Sequence, residues 1–325
     1  MAWPQNGRNL VSVEQAPGVI ETVGNAFVLL NKKPYLLIPP VLLDLFLWLG
    51  VRLSLKPLTD TLIRWLGSSS SVDASSIDRI RNAGTSFNLF ELLAISMPTF
   101  VARVGADAIA GASSWTIDSL AWWLMLPLSI MLFLAGIAIG VSYLTLLGFL
   151  VRNERLATWP VLRATAQNVL RTYGYLLLLL GLVLLILFPL LMLSGVLLAF
   201  GISIVGLLTL GLVFAAMWAY VMLFFAQDAI VISNAGPARA IYLSYNVVRS
   251  NFWPCIGLIV VSMTLQIGTP LALVAFTRTP WAVPLAFIAH AYILTGVAVA
   301  TMLFYRDRAM KLRASRLPAA PDRTS

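Results

Sequence analysis

Three polar residues of this sequence stand inside long apolar runs, where their side chains are candidates for chemistry: Asp44, Gln266 and His290. Inserting an ionisable side chain into hydrocarbon costs about 2.5–3.5 kcal/mol. Polar residues in such positions are therefore candidates for a functional role. One hypothesis is that Asp44 and His290 meet as a protonatable pair or contact a polar substrate, with Gln266 at a similar depth. The alternative is that each hydrogen-bonds a Ser, a Thr or a backbone carbonyl freed by Pro39 and Pro40, and so only ties helices together.

A second group of candidates consists of arginines at helical spacing. Arg163 and Arg171 recur with Gln167 at four-residue intervals, which places them on one face of a helix. Arg239 and Arg249 share a stripe further along the chain. Basic faces opposite apolar ones are typical of helices in the membrane interface. These four arginines are therefore predicted to contact anionic lipid headgroups or a partner subunit.

The composition indicates which solvent surrounds these residues. Of the 325 residues, 60% are hydrophobic and 11% are charged, and the mean hydropathy is +0.89. A soluble domain has about 25% charged residues, so this chain has too little polar surface for a water-exposed globule. The composition therefore predicts an integral membrane protein.

The same counts exclude most catalytic chemistry. A single His and a single Cys cannot build a histidine cluster, a cysteine zinc site or a disulfide. No HExxH, GxSxG, P-loop or GxGxxG motif occurs in the sequence. We therefore expect no catalytic residues, no cofactor site and no metal site.

Uncharged intervals locate the membrane spans, since a spanning helix needs about 20 mostly apolar residues. The longest interval, 172–227, has 56 residues and suits two spans, with a break near Gly195–Ser203. The first span is weaker than the others because it contains two prolines and Asp44. The sequence predicts a single domain, an all-α polytopic transmembrane helix bundle, with six spans at about 34–55, 120–151, 173–196, 202–226, 253–276 and 281–305.

The distribution of Lys and Arg predicts how the chain is threaded. If the N-terminus is cytoplasmic, 15 of the 22 basic residues lie on the cytoplasmic side, where loops carry the excess. Most of the others fall in one long extracytoplasmic loop, 56–119, which we expect to form a cap. An even number of spans then puts both termini in the cytoplasm. The basic tail, 306–325, is expected to bind anionic headgroups.

Three segments that precede odd-numbered spans resemble one another. Each begins near a proline, at Pro17, Pro160 or Pro237, and reaches an aromatic residue at the start of a span 15 to 18 residues later. We predict that they form amphipathic helices in the cytoplasmic interface. A unit of one interfacial helix and two spans, present three times, is one interpretation; unrelated loop helices are the other.

Two further features bear on packing. Within the outer loop, residues 87–105 are apolar but contain Glu91 and Pro98, which predicts a surface or re-entrant helix rather than a span; an additional crossing is the alternative. Gly136 and Gly140 form a GxxxG pattern, which permits a helix to be approached closely.

Two short stretches, 236–260 and 304–308, carry a resemblance to known proteins. The first is an Ala-rich helix led by Gly-Pro that ends in Ser…Val-Arg-x-Asn-Phe-Trp before the fifth span, and the second is a Tyr/Asp/Arg cluster after the sixth. This part of the chain resembles bacterial six-span inner-membrane proteins, namely the membrane domain found beside glycerophosphoryl diester phosphodiesterases and the YciC-like proteins. The matching residues are Gly236, Pro237, Ala240, Ser244, Val248, Arg249, Asn251, Phe252 and Trp253.

The chain also departs from that pattern. Pro254 stands where a basic residue is usual, and Asp307 is displaced behind Arg306. The resemblance implies the same helical fold and a bacterial inner membrane. It implies no phosphodiesterase activity, because the catalytic domain of those enzymes is missing.

These observations favour a non-enzymatic membrane scaffold or lipid-interacting accessory protein. The main alternative is a transporter or permease for a small or lipidic substrate, with Asp44, Gln266 and His290 as its midplane contacts. Anionic membrane lipids are the expected partners, and a membrane protein or a second copy of the chain is an open alternative. Charge alone supplies no folded basic surface, so no nucleic acid is expected.

Overall fold

The computed structural model describes residues 17–67, 73–118, 120–154 and 157–314. Within these ranges it contains twelve α-helices, several short 3-10 turns and one pair of two-residue strands. Five helices are long and apolar enough to cross a membrane, and a sharply bent helix pair near the N-terminus is a sixth candidate. The predicted all-α transmembrane bundle is confirmed.

The long helices lie over the residues predicted for the last five spans. They are α6 (Trp122–Val151), α7 (Thr158–Ala199), α8 (Val205–Leu223), α9 (Ala226–Ser233), α11 (Phe252–Leu273) and α12 (Val283–Ala314). The chain breaks between α7 and α8 at residues 200–204, where Gly201 has a φ of +79° that a residue with a side chain rarely adopts. The span that begins with α8 continues through the short helix α9 before the chain turns.

The first predicted span, 34–55, has a different shape from the others. A 3-10 turn, Pro34–Leu37, leads into α2 (Ile38–Leu49), and the helix ends there because Gly50 adopts an extended conformation. The following residues form strand β1 (Arg52–Leu53), which pairs in parallel with β2 (Thr116–Ile117). The helical part is therefore shorter than the predicted span.

The three predicted amphipathic segments are all helical, but each has its own geometry. The first, α1 (Val19–Asn31), packs along α12 and meets the Pro34–Leu49 helix at an angle of 99°. The second is the start of α7, which runs without a break for 42 residues, or about 63 Å. The third, α10 (Pro237–Ser250), is separated from α11 at Asn251. The first and third are therefore separate helices, as predicted, whereas the second is continuous with its span.

The cap, predicted over residues 56–119, lies between α2 and α6 along the chain. Its helices are α3 (Lys56–Gly67) and α4 (Ala74–Ser86), followed by a 3-10 turn over Leu89–Ala94, α5 (Val101–Val104) and a 3-10 turn over Ala106–Ala108. The five residues 68–72 of the Ser-rich stretch lie outside the described ranges. Asn88 ties the cap to β1, because its Oδ1 accepts the backbone N–H of Leu53 at 3.1 Å.

The GxxxG face of α6 is covered by this cap. A Cβ placed on Gly136 would collide with the backbone carbonyl of Leu92, and one on Gly140 would collide with Ser96. Both glycines are in the middle of the 30-residue helix α6. Residues 92–96 therefore reach the level of the helix centre instead of lying over its end, and they form the end of a 3-10 turn and a loop, where a surface or re-entrant helix was predicted.

The largest core cluster lies at the opposite end of the bundle, where α6 ends. It joins residues of α1, α6, α9, α10, α11 and α12. Arginines bind the last carbonyls of two of these helices: Arg306 Nη1 donates to Val151 O, and Arg152 Nη1 donates to Val231 O, each at 2.6 Å. Cations are favoured there because the helix dipole places partial negative charge at the C-terminus. We call this the basic end.

Candidate functional site

Asp44 is completely buried and acts as an anchor for the cap. Its two carboxylate oxygens accept the backbone N–H groups of Phe100 and Val101, each at 2.9 Å. These are the first donors of α5, which have no partner within that helix. Asp44 therefore binds a segment more than 50 residues away in sequence through both of its oxygens.

His290 contacts the same segment from the other side. It is also completely buried, and its imidazole meets the ring of Phe100 edge to face at 5.4 Å. The backbone of Thr99 interacts with the imidazole, but neither ring nitrogen makes a hydrogen bond of standard geometry. The structure thus brings Asp44 and His290 to one three-residue segment, without a hydrogen bond between them.

Gln266 does not join this arrangement through any described hydrogen bond; it is half-buried on α11. Three clefts among the described residues have volumes of about 320, 240 and 350 Å³, and none is lined by Asp44, Gln266 or His290. Asp44 and His290 are therefore packed into the bundle, whereas Gln266 is partly exposed, and these three clefts reach none of the predicted midplane contacts.

The four predicted headgroup arginines lie on the outer faces of α7 and α10. Arg163, Arg239 and Arg249 are exposed, and Arg171 is half-buried because its guanidinium reaches Asn234 Oδ1 at 3.4 Å. The opposite face of α10 is buried, through Ala240, Ser244, Val247 and Val248. The basic stripe of α10 thus faces away from the protein.

The two basic helices pack against each other. Pro237, the first residue of α10, lies against Gly174 of α7. This contact brings the Arg171 and Arg239 regions together, whereas Arg249 is about 15 Å further along α10. Large aromatic side chains are exposed on the same helices and at the start of α11: Trp159, Tyr242, Tyr245 and Trp253. Trp and Tyr in such positions are typical of the membrane–water interface.

No family model, no curated protein and no solved structure matches this chain. The function must therefore be argued from the site itself.

Two buried ionisable residues at the basic end were not predicted from the sequence. Asp228 on α9 is 7% exposed and hydrogen-bonds Thr301. Arg308 on α12 is 3% exposed, stacks on Phe304 and donates to Pro17 O at 2.9 Å. The sequence places both at the ends of spans, because Asp228 is the first charge after an apolar run and Arg308 follows closely after one. Their burial depends on packing between helices that are distant in sequence.

A cluster of charged residues connects three elements of the cap. Arg52 on β1 pairs with Asp107, and Glu91 lies near both. Burial raises the pKa of Glu91 to about 7, while the Arg52 guanidinium lowers it and the Asp107 carboxylate raises it. Glu91 therefore exchanges a proton in the neutral range, unlike an exposed glutamate.

This shift predicts a pH dependence of stability. Because the folded-state pKa of Glu91 exceeds its ordinary value of 4.5, the folded protein binds the proton more tightly than the unfolded chain does. Its stabilising contribution is present below about pH 4.5 and is lost as the pH rises through about 7. We expect the thermal midpoint in detergent to fall across this window, and Glu91→Gln to flatten the decline. The exposed carboxylate change Asp78→Asn is the control, and equal slopes in wild type and Glu91→Gln would contradict the assignment.

Proposed function

We propose that this protein is a non-enzymatic integral membrane protein that binds anionic lipid headgroups and serves as a membrane scaffold or accessory subunit. The observation that carries the proposal is the outward-facing basic stripe on α7 and α10. Exposed Trp and Tyr side chains of the kind found at the membrane–water interface lie beside the stripe. The chain continues from these segments into apolar helices long enough to span a membrane. None of the residues of α8 is buried, as expected for a helix surrounded by acyl chains.

The buried polar residues support a non-catalytic role. Both oxygens of Asp44 are occupied by backbone donors, and the His290 imidazole is enclosed beside Phe100. A catalytic group must touch its substrate, so residues without access to a cleft are poor candidates. Transport through a midplane site is the rival function, and it needs a cavity lined by Asp44, Gln266 and His290. The bonds that already occupy both oxygens of Asp44 favour the scaffold.

We propose further that the basic end faces the cytoplasm. The positive-inside rule supports this orientation, because Arg152 after α6, Arg239 in the first turn of α10, and Arg306 and Arg308 near the end of α12 all lie there. The resemblance of residues 236–260 and 304–308 to bacterial six-span proteins supports placement in a bacterial inner membrane.

The proposal predicts that the basic stripe retains anionic lipid. Removing the charges with Arg163→Gln, Arg171→Gln, Arg239→Gln and Arg249→Gln is expected to weaken retention by up to about fivefold per residue, since each basic residue near an anionic surface contributes about 1 kcal/mol. The measurement is mass spectrometry of lipids that co-purify with the protein from native membranes.

A matched control removes the same number of charges from the cap. Arg64, Arg79, Arg81 and Arg103 are all exposed, and their change to Gln is expected to leave the anionic lipid content unchanged. Equal losses in the two quadruple variants, or no loss in either, would refute a specific role for the α7 and α10 stripe.

A further inference from the structure

A cleft at the basic end has the chemistry of a lipid phosphate site. It lies where the end of α6, the second half of α1 and the last turns of α12 meet, and its volume is about 320 Å³. That volume is within the range of small-molecule sites, about 300–1,000 Å³. None of the four arginines of the α7 and α10 stripe lines it. The cleft is thus separate from the stripe.

The polar part of the cleft is basic. Lys32 and Arg306 supply two cations, and Asn25 and Asn153 supply two amides. The residues that line the cleft, all in the described part of the chain, include no Asp or Glu. The carboxylate of Asp307, outside the lining, binds Arg306 through Nε and Nη2 at 3.0 and 2.9 Å.

Arg306 is held in position before any ligand arrives. Its Nη1 donates to Val151 O at 2.6 Å, and Asp307 accepts from the other two nitrogens. A guanidinium has five N–H donors, so these three bonds leave two donors for a further acceptor. A fixed guanidinium loses little conformational freedom on binding, which suits it to a phosphate.

The remaining lining is apolar. Val28 and Leu29 of α1 face Leu150 of α6 and Leu303 of α12 across the cleft. Val28 is 59% exposed, so this apolar lining is open to the outside of the protein. A soluble anion would use only the rim, whereas a phospholipid would use both parts.

We infer that the cleft between α1, α6 and α12 binds the phosphate of an anionic phospholipid, with an acyl chain against Val28 and the other apolar residues of the lining. The inference deepens the proposed lipid-binding function, on which it rests, by naming a discrete site. Lys32 and Arg306 face the phosphate oxygens, and Asn153 donates from the opposite rim. Basic pockets between transmembrane helices are suited to lipid headgroups for the same electrostatic reason.

The test is a titration of the full-length protein in neutral detergent, followed by native mass spectrometry. The probes are phosphatidylglycerol, phosphatidylcholine and inorganic phosphate. Lys32→Gln is expected to weaken phosphatidylglycerol binding about fivefold. Asn153→Asp is expected to weaken it at least as much, because it places a carboxylate at the rim. Asn153 has a φ of +54°, a conformation that Asp also tolerates, so this second variant keeps the test valid if the first does not fold.

Lys33→Gln is the matched control, since it removes the neighbouring charge but not a residue of the cleft lining. Its binding is expected to stay within about twofold of wild type. Equal losses in Lys32→Gln and Lys33→Gln would overturn the site in favour of diffuse surface charge. Displacement of the lipid by millimolar inorganic phosphate would overturn the lipid assignment. If only the four-arginine variant loses phosphatidylglycerol binding, this cleft is rejected and the proposed function stands. If only Lys32→Gln and Asn153→Asp lose it, the cleft is supported and the arginine stripe is rejected.

Discussion

Replacing Asp44 with alanine is expected to lower the free energy of unfolding by about 2–6 kcal/mol. The change leaves the backbone N–H groups of Phe100 and Val101 buried without acceptors, and each unsatisfied buried donor costs about 1–3 kcal/mol. The measurement is reversible unfolding in mixed detergent micelles. Amide hydrogen exchange at Phe100 and Val101 should accelerate as well, which would locate the loss.

Asp44→Asn provides an internal control. It keeps one carbonyl acceptor, so its stability should fall between wild type and Asp44→Ala. Asp60→Ala, which removes a less buried carboxylate of the cap, should change stability by less than about 0.5 kcal/mol. If Asp44→Ala unfolds with the same free energy as wild type, and the amides of Phe100 and Val101 still exchange slowly, Asp44 does not anchor the cap.

Gly136→Ala should destabilise the protein by about 1–3 kcal/mol, even though alanine is the better helix former. The new methyl group meets the backbone of Leu92 and Leu93, which cannot move without displacing the cap segment, and overpacking of this kind typically has that cost. Gly140→Ala should behave in the same way, because its methyl group meets Ser96. The measurement is unfolding in the same micelles.

Glycines elsewhere in the spanning helices give the opposite expectation. A Cβ on Gly181 of α7 or Gly211 of α8 has nothing within 4 Å. There the gain in helix propensity, about 1 kcal/mol in water, is not opposed by a clash, so Gly181→Ala and Gly211→Ala should be neutral or stabilising. If Gly136→Ala behaves like Gly211→Ala, the close contact with residues 92–96 is absent.

These glycines also show which part of the packing cannot be predicted from the sequence. The GxxxG pattern at Gly136 and Gly140 predicts a close approach, and the structure supplies one. The partner is a 3-10 turn of the cap, not another long helix. The spacing of two glycines specifies an open groove on α6, but it carries no information about which segment enters the groove.

The amphipathic segments illustrate the same limit. Their periodicity predicts three helices with one apolar face each, and all three are helical. Periodicity does not distinguish a helix lying on a lipid surface from one packed on protein, because both bury an apolar face. The structure places α1 along α12, where Phe27 lies against Gly296 and Tyr292 donates to Asn31 Oδ1 at 3.0 Å. For α7 the amphipathic part and the apolar part form one helix, since no residue between them interrupts it.

The sequence by itself determined that lipid surrounds most of the chain, that the chain is helical, and where the long apolar helices lie. Each depends on local composition, because an apolar run of sufficient length must satisfy its own backbone hydrogen bonds in lipid. Only the tertiary structure decided what the rare polar residues do. Asp44, His290 and Phe100 meet through contacts across 56 residues or more, and the Lys32 cleft joins three separate helices. Such long-range juxtapositions follow from how the helices pack together, which no single stretch of sequence encodes.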